Sequence, residues 1–260
     1  MNERLDTVLV QRGFFSSRSQ AGAAVLAGEV RVNGQPVTKA GALVAADIEV
    51  TLKEQPRFVS RGGLKLERAF EEFPIDVSGR VALDAGASTG GFTDCLLQHG
   101  ARKVIAVDVG YGQLDWKLRN DPRVDVLERT NIRGITREML SETPSFATFD
   151  LSFISLKKVL QPVVGTLEED FQAIALIKPQ FEAGRGKVGK GGVVRDGKVR
   201  REVLEEIWSF IEESGWVVLG LTESPVRGPK GNREYLLYFA AGDQEHASKP
   251  DRNNVLEKFD

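Results

Sequence analysis

The sequence has a single cysteine, Cys95, so no disulfide framework can form within the chain. Only two histidines occur, His99 and His246, and a metal site of the zinc type is not expected from so few nitrogen and sulfur ligands. Cys95 and His99 stand four apart on an expected helix, which fits a small buried thiol and a helix-end imidazole. No run of about 18 apolar residues is present, which excludes a membrane-spanning helix. The stretch from Met1 to Gly13 is charged and has no apolar signal core, so a cytoplasmic protein is expected. Positive charge is not in excess either. The formal net charge is −2 over 260 residues, so any surface for nucleic acid must be local. With 41% hydrophobic and 28% charged residues, the chain is of ordinary globular composition, long enough for one large domain and a small one.

Residues 1–55 form a first block. Leu5, Val8 and Leu9 fall at helical spacing, and Ser17 and Gln20 make a capping-box pattern ahead of a second helix. Ala21, Ala24 and Val25 supply its apolar face, and Gly28 is the expected stop. Short strands follow at Val30–Val32, Val37 and Ile48–Leu52, with Asn33-Gly34 as a hairpin turn. Residues 56–59, after Gln55, read as a linker, because Pro56 breaks the preceding strand. Residues 242–260 are polar and aperiodic and read as a frayed tail.

Between them, residues 60–241 alternate strand and helix. Strands are expected at Val81–Asp84, Val104–Asp108, Val124–Leu127, Phe146–Leu151, Ala173–Ile177, Trp216–Thr222 and Tyr235–Ala240. Helices are expected at Phe92–Gln98, Leu156–Leu167 and Val199–Glu213, the last amphipathic through Val203, Ile207, Phe210 and Ile211. Such alternation implies an α/β, doubly wound sheet with a parallel core.

The segment Asp84-Ala85-Gly86-Ala87-Ser88-Thr89-Gly90-Gly91-Phe92 joins the first of these strands to a helix. Small residues let a ligand approach the backbone, and the amides of a helix start can bind it. Asp108 ends the next strand, where an acid can accept hydrogen bonds from ribose hydroxyls. The loop has neither the Gly-x-Gly-x-x-Gly of dinucleotide sites nor the Gly-Lys-Ser/Thr of a P-loop, which disfavours oxidoreductases and NTPases.

Four polar residues should meet beside this loop. Asp150 and Lys178 follow consecutive strands; Glu234 precedes the last one; Lys65 lies on a segment leading into the first. A ribose hydroxyl is a weak acid, and a lysine, whose ordinary pKa is about 10.4, removes its proton only when neighbouring charge and burial favour the neutral amine. Lys178 is the candidate base, Lys65 its cationic neighbour, and Asp150 and Glu234 the orienting acids. The Asp/Asn-Pro-Pro-aromatic of base-amino methylation is absent at Asp150-Leu151-Ser152-Phe153, and Cys95 is badly placed as a nucleophile for cytosine. Between Gly184 and Arg201, seven basic residues face one acid, Asp196, in a glycine-rich stretch expected to be mobile and to meet phosphates.

These pieces resemble known families. Residues 1–55 are similar to the alpha-L RNA-binding domain, through Arg4-Leu5-Asp6, Ser17–Ala21 and Gly28–Gly34. The glycine loop resembles motif I of Rossmann-like class I methyltransferases, whose sheet is mostly parallel with an antiparallel last strand. Their cofactor is S-adenosyl-L-methionine. Lys65, Asp150, Lys178 and Glu234 resemble the tetrad of FtsJ-type ribose 2′-O-methyltransferases. Together the blocks resemble the TlyA family, also called hemolysin A, with Phe58 where many members carry tryptophan. The resemblance implies cytidine 2′-O-methylation of ribosomal RNA, free or in a subunit, without a metal, by a monomer or weak dimer. It implies a cofactor set of Asp84, Gly86, Ala87, Ser88, Thr89, Gly90, Gly91, Phe92, Asp108, Val109, Asn131 and Asp150. RNA contacts are expected from Arg4, Arg18, Arg31, Lys39, Arg61, Arg185, Lys187, Lys190 and Arg195. A non-catalytic RNA-binding or assembly protein and a membrane-active hemolysin are the alternatives.

Overall fold

A computed structural model describes residues 2–45, 47–53, 56–242 and 250–259. The chain divides into two compact units, Met1–Pro56 and Arg57–Asp260.

In the smaller unit, α1 (Leu5–Gln11) buries Leu5, Val8 and Leu9, and α2 (Arg18–Leu26) buries Ala21, Ala24 and Val25. Ser17 Oγ accepts the Gln20 amide at 3.3 Å, but the Gln20 side chain accepts from Ser16 Oγ, so only half of the expected capping box forms. Strand β2 (Val30–Val32) pairs with β3 (Gln35–Pro36) and β5 (Val50–Leu52). Asn33 (φ 49°) and Gly34 (φ 76°) both occupy the left-handed region, as the tight β2–β3 turn requires. A further ladder, β1 (Asn2–Arg4) against β4 (Leu43–Ala45), was not expected. Three residues are too few to show alternation.

The larger unit holds a seven-stranded sheet. Its strands are β6 (Val81–Ala85), β7 (Lys103–Val107), β8 (Val124–Leu127), β9 (Phe146–Phe149), β10 (Gln172–Ile177), β11 (Trp216–Glu223) and β12 (Tyr235–Ala241). They lie in the order β11-β12-β10-β9-β6-β7-β8, and β12 is antiparallel to both its neighbours. Strand β6 is buried throughout because helices cover both faces. Val81, Leu83 and Ala85 pack on one side with α6 (Leu160–Val164) and α8 (Gly197–Glu213). Ala82 faces the other side, with α3 (Gly62–Glu72) and α4 (Gly91–Gln98). The chain winds outward from β6 to β8, then returns to place β9 on β6's other edge. That reversal opens a crevice at the carboxyl ends of β6 and β9.

Three expectations are corrected here. The helix Leu156–Leu167 is instead a single 3-10 turn, Leu156–Lys158, followed by the short α6. Pro162 has no N–H to give the Lys158 carbonyl, so one continuous helix cannot form. Within the expected linker 56–59, Phe58 is buried in the α3–α4 core and the Val59 amide donates to Asp94 Oδ2 at 2.9 Å, so these residues belong to the larger unit. Gln55 lies outside the described residues. The frayed tail is corrected over 250–259: α9 (Arg252–Leu256) and the turn Glu257–Phe259 bury Leu256 and Phe259. Phe259 stacks edge-on against Tyr235 at 5.3 Å, and Arg252 donates to the Glu205 carbonyl and Ser209 Oγ. Residues 243–249, including His246, are outside the described set. Among the described residues, no helix is long and apolar enough to cross a membrane.

Candidate active site

The sheet brings the four polar residues together. Lys178 directly follows β10, and Ile177 pairs with Tyr235, so antiparallel β12 starts beside it and delivers Glu234 to the same edge. Asp150 follows β9, and Lys65 sits in the first turns of α3. Lys178 Nζ lies 2.6 Å from Asp150 Oδ1; Lys65 Nζ lies 2.6 Å from Glu234 Oε2 and 4.0 Å from Asp150 Oδ2. Asp150 therefore stands between the lysines. Glu234 is fully buried and Lys178 is 7% exposed. Polar groups so far from water persist only when partnered, and two lysines here face two acids. Ser152 Oγ also accepts from Lys178 Nζ, at 3.1 Å.

Two depressions open at this edge and share Gly86, Ser88, Asp150 and Ser152. The smaller, about 300 Å³, holds the tetrad, Arg61, and the loop residues Ala87, Thr89, Gly91 and Phe92. The larger, about 1130 Å³, is lined by Asp108, Val109, Asn131, Phe153 and Gln180, among others. Val109 is 75% exposed. Asp108 accepts the Ser88 amide at 2.8 Å and the Gly110 amide at 2.7 Å, and so fixes the loop's shape. Asn131 caps the Arg133 amide at 3.1 Å. Gly86 has φ 91°, and a Cβ there would come within 2.7 Å of the Asp150 carbonyl oxygen. Only glycine allows the two chain segments to approach this closely.

Two residues expected to contact the cofactor, Asp84 and Gly90, lie outside the lining of these depressions. Asp84 lies within β6, and alternation points it at α4, away from both depressions. It is fully buried and accepts from Thr93 Oγ1 at 2.7 Å and Thr148 Oγ1 at 3.0 Å. Burial pushes its pKa up to about 6 against the lowering effect of those hydroxyls. Gly90 does not line the depressions either; it starts α4 with φ 97° and packs against Leu114 and Leu118. Both residues shape the loop from beneath.

Of the residues expected to meet RNA, Arg31 and Lys39 are exposed in the smaller unit. Arg4 and Arg18 both donate to Asp6, at 2.8 and 3.2 Å, and hold its carboxyl well below the usual carboxylate range. In the larger unit, Lys187 pairs with Glu202 at 2.6 Å, while Lys190 and Arg195 are exposed. The Arg185 side chain lies outside the described structure. The basic stretch is pinned at Val194, whose amide donates to Asn232 Oδ1 at 3.1 Å; Asn232 Nδ2 donates to the Gly192 carbonyl at 2.9 Å. The glycines around it had suggested free movement.

Sequence reasoning assigned no role to Ser152, Arg133, Lys158 or Gln180, all of which line the depressions. They come from separate segments of the chain, and no spacing in the sequence groups them. The structure also gathers Glu67, Cys95 and His99 within 4.8 Å on α3 and α4. There Glu67 is held by Arg57 at 2.5 Å and His99 at 2.7 Å, and burial pushes the Cys95 thiol pKa up.

Comparison with known proteins agrees with this geometry. The FtsJ-like methyltransferase family matches residues 58–241, and the S4 domain matches residues 3–47. YqxC of Bacillus subtilis is 50% identical over 238 residues, 91% of this chain and 85% of that protein. The 16S/23S rRNA (cytidine-2′-O)-methyltransferase TlyA of Mycobacterium tuberculosis is 48% identical over 237 residues, 90% of this chain and 88% of its own. A solved structure from Streptococcus thermophilus is 42% identical, with a TM-score of 0.74 over 99% of this chain and 94% of that one.

Proposed function

The chain belongs to the TlyA family, an S4 domain joined to an FtsJ-like methyltransferase domain, and from that premise we propose that it transfers a methyl group from S-adenosyl-L-methionine to a ribose 2′-hydroxyl of ribosomal RNA, at cytidine. The observation that carries this is the convergence of Lys65, Asp150, Lys178 and Glu234 beside the glycine loop.

The crevice suits the cofactor. Gly86 lets the loop close against the Asp150 segment, Asp108 lines the larger depression where ribose hydroxyls would be held, and Val109 and Asn131 line it as well. The bound cofactor supplies a methyl activated by its sulfonium. The protein then has to bring the acceptor oxygen into line and take its proton. Lys178 Nζ takes that proton. Asp150 holds Lys178, and Glu234 holds Lys65, whose positive charge sits beside Asp150. RNA is drawn in by Arg31 and Lys39 of the S4 domain, by Arg61 at the smaller depression, and by the exposed Lys190 and Arg195.

The test is methylation of purified ribosomal subunits by the full-length protein with labelled S-adenosyl-L-methionine. Wild type should label ribosomal RNA, and Lys178→Ala should lower the rate about 100-fold or more. Undiminished labelling by Lys178→Ala overturns the tetrad. Absence of wild-type labelling on either subunit favours a binding or assembly role instead.

A further inference from the structure

Lys178 must present a lone pair to the 2′-hydroxyl, and its direction depends on how the rest of the amine is held. A neutral amine carries two N–H bonds and one lone pair at tetrahedral angles. Two acceptors reach Nζ in the structure: Asp150 Oδ1 at 2.6 Å and Ser152 Oγ at 3.1 Å. A single acceptor would leave the amine free to rotate about Cε–Nζ. Two acceptors at different positions fix that rotation, and the lone pair takes the remaining corner. Both Lys178 and Ser152 line the smaller depression, into which the acceptor ribose must fit.

Ser152 is placed there by its backbone. It is the second residue beyond Asp150, and the next residue, Phe153, takes φ 64°, an unfavourable conformation for an aromatic side chain. Such local strain persists where the surrounding structure imposes it, and it clusters at functional sites.

Resting on the methyltransferase reading above, we propose that Ser152 is a positioning residue of the reaction: its hydroxyl is the second acceptor that aims the Lys178 lone pair at the ribose 2′-hydroxyl. In the step itself the O2′–H bond breaks and the proton moves to Lys178 Nζ, giving an ammonium. The oxygen forms a bond to the methyl carbon while the carbon–sulfur bond breaks, and its electron pair stays on sulfur. The ammonium then has three protons, one each for Asp150, Ser152 and the methylated ribose oxygen.

The experiment compares wild type, Ser152→Ala, Ser152→Thr and Lys178→Ala as full-length proteins on purified ribosomal subunits with labelled cofactor. Loss of one hydrogen bond to a charged or reacting group corresponds to about 10- to 100-fold in rate. Ser152→Ala should lower kcat by about that factor and leave KM for RNA and cofactor within about twofold, because no binding contact is removed. Ser152→Thr keeps the γ-hydroxyl and should recover most of kcat. The proposal is overturned if Ser152→Ala keeps wild-type kcat while Lys178→Ala is inactive, which leaves the tetrad standing. It is overturned as well if the Ala and Thr variants lose kcat equally, or if the loss lies in KM. If Lys178→Ala itself keeps wild-type kcat, the tetrad and the role of Ser152 fall together.

Discussion

In the larger unit Glu234 is fully buried 2.6 Å from Lys65, and Lys178 is nearly as deep beside Asp150. In the smaller unit Arg31 and Lys39 stand exposed, and Asp6 is the one buried charged residue among those described, with two half-exposed arginines gathered on it. The first arrangement spends desolvation on fixing a few atoms within tenths of an ångström, as proton transfer requires. The second keeps charge in water, where it attracts a polyanion at longer range and can adapt to it. Chemistry and recognition thus use the same residue types at opposite burial.

The contrast breaks most sharply at Glu234. Glu234→Ala strands the Lys65 ammonium in a buried site and should cost about 3–5 kcal/mol of stability, measured by urea unfolding of the larger unit. A change below 1 kcal/mol, on the order of an exposed pair, would erase the distinction.

Two of the buried acids, Asp84 and Asp6, should respond to pH in opposite senses. Asp84 has a folded pKa raised to about 6, so its contribution is fully present below about pH 4 and is lost as pH rises through 6, a span worth about 3 kcal/mol. Asp6 has a lowered folded pKa, so its contribution is present above about pH 4 and is lost as pH falls further. Thermal unfolding from pH 3 to 7 should show Asp84→Asn flattening the curve between 4 and 6, and Asp6→Asn flattening it below 4. Parallel curves for wild type and both variants would contradict this.

Gly86→Ala places a side chain against the Asp150 carbonyl at a left-handed φ. It should weaken cofactor binding by about 2 kcal/mol, read by calorimetry, with the S4 domain's RNA affinity unchanged.

The smallest effect belongs to the exposed cations. Arg31→Ala or Lys39→Ala should weaken RNA binding about equally for all sequences and reduce the slope of log affinity against log salt by about one each. A sequence-selective loss would mean that these residues read bases.

Much of the catalytic edge was legible because it is built from local patterns. A buried β6 followed by small residues, and polar residues placed immediately after β9 and β10 or before β12, define positions that the sheet topology must bring together. What escaped depends on distant partners. The β1–β4 ladder joins segments some forty residues apart. Leu256 and Phe259 find the core although polar neighbours hide them. The hydroxyls that hold Asp84 come from Thr93 and Thr148, 9 and 64 residues away. Ser152 stood in a quoted motif, but its role needs the distance to Lys178, 26 residues away. The linker was drawn from Pro56 as a strand breaker, which set Phe58 outside the core when its packing ties it to α3.

The central claim is that this edge methylates a ribose hydroxyl of cytidine in ribosomal RNA. Nucleoside mass spectrometry of ribosomal subunits reacted with the full-length protein and S-adenosyl-L-methionine tests it most directly. The structure and its relatives lead to the expectation of 2′-O-methylcytidine in the wild-type reaction and none with Lys178→Ala. A methyl group found on a base, or an equal yield of 2′-O-methylcytidine from both proteins, would contradict it.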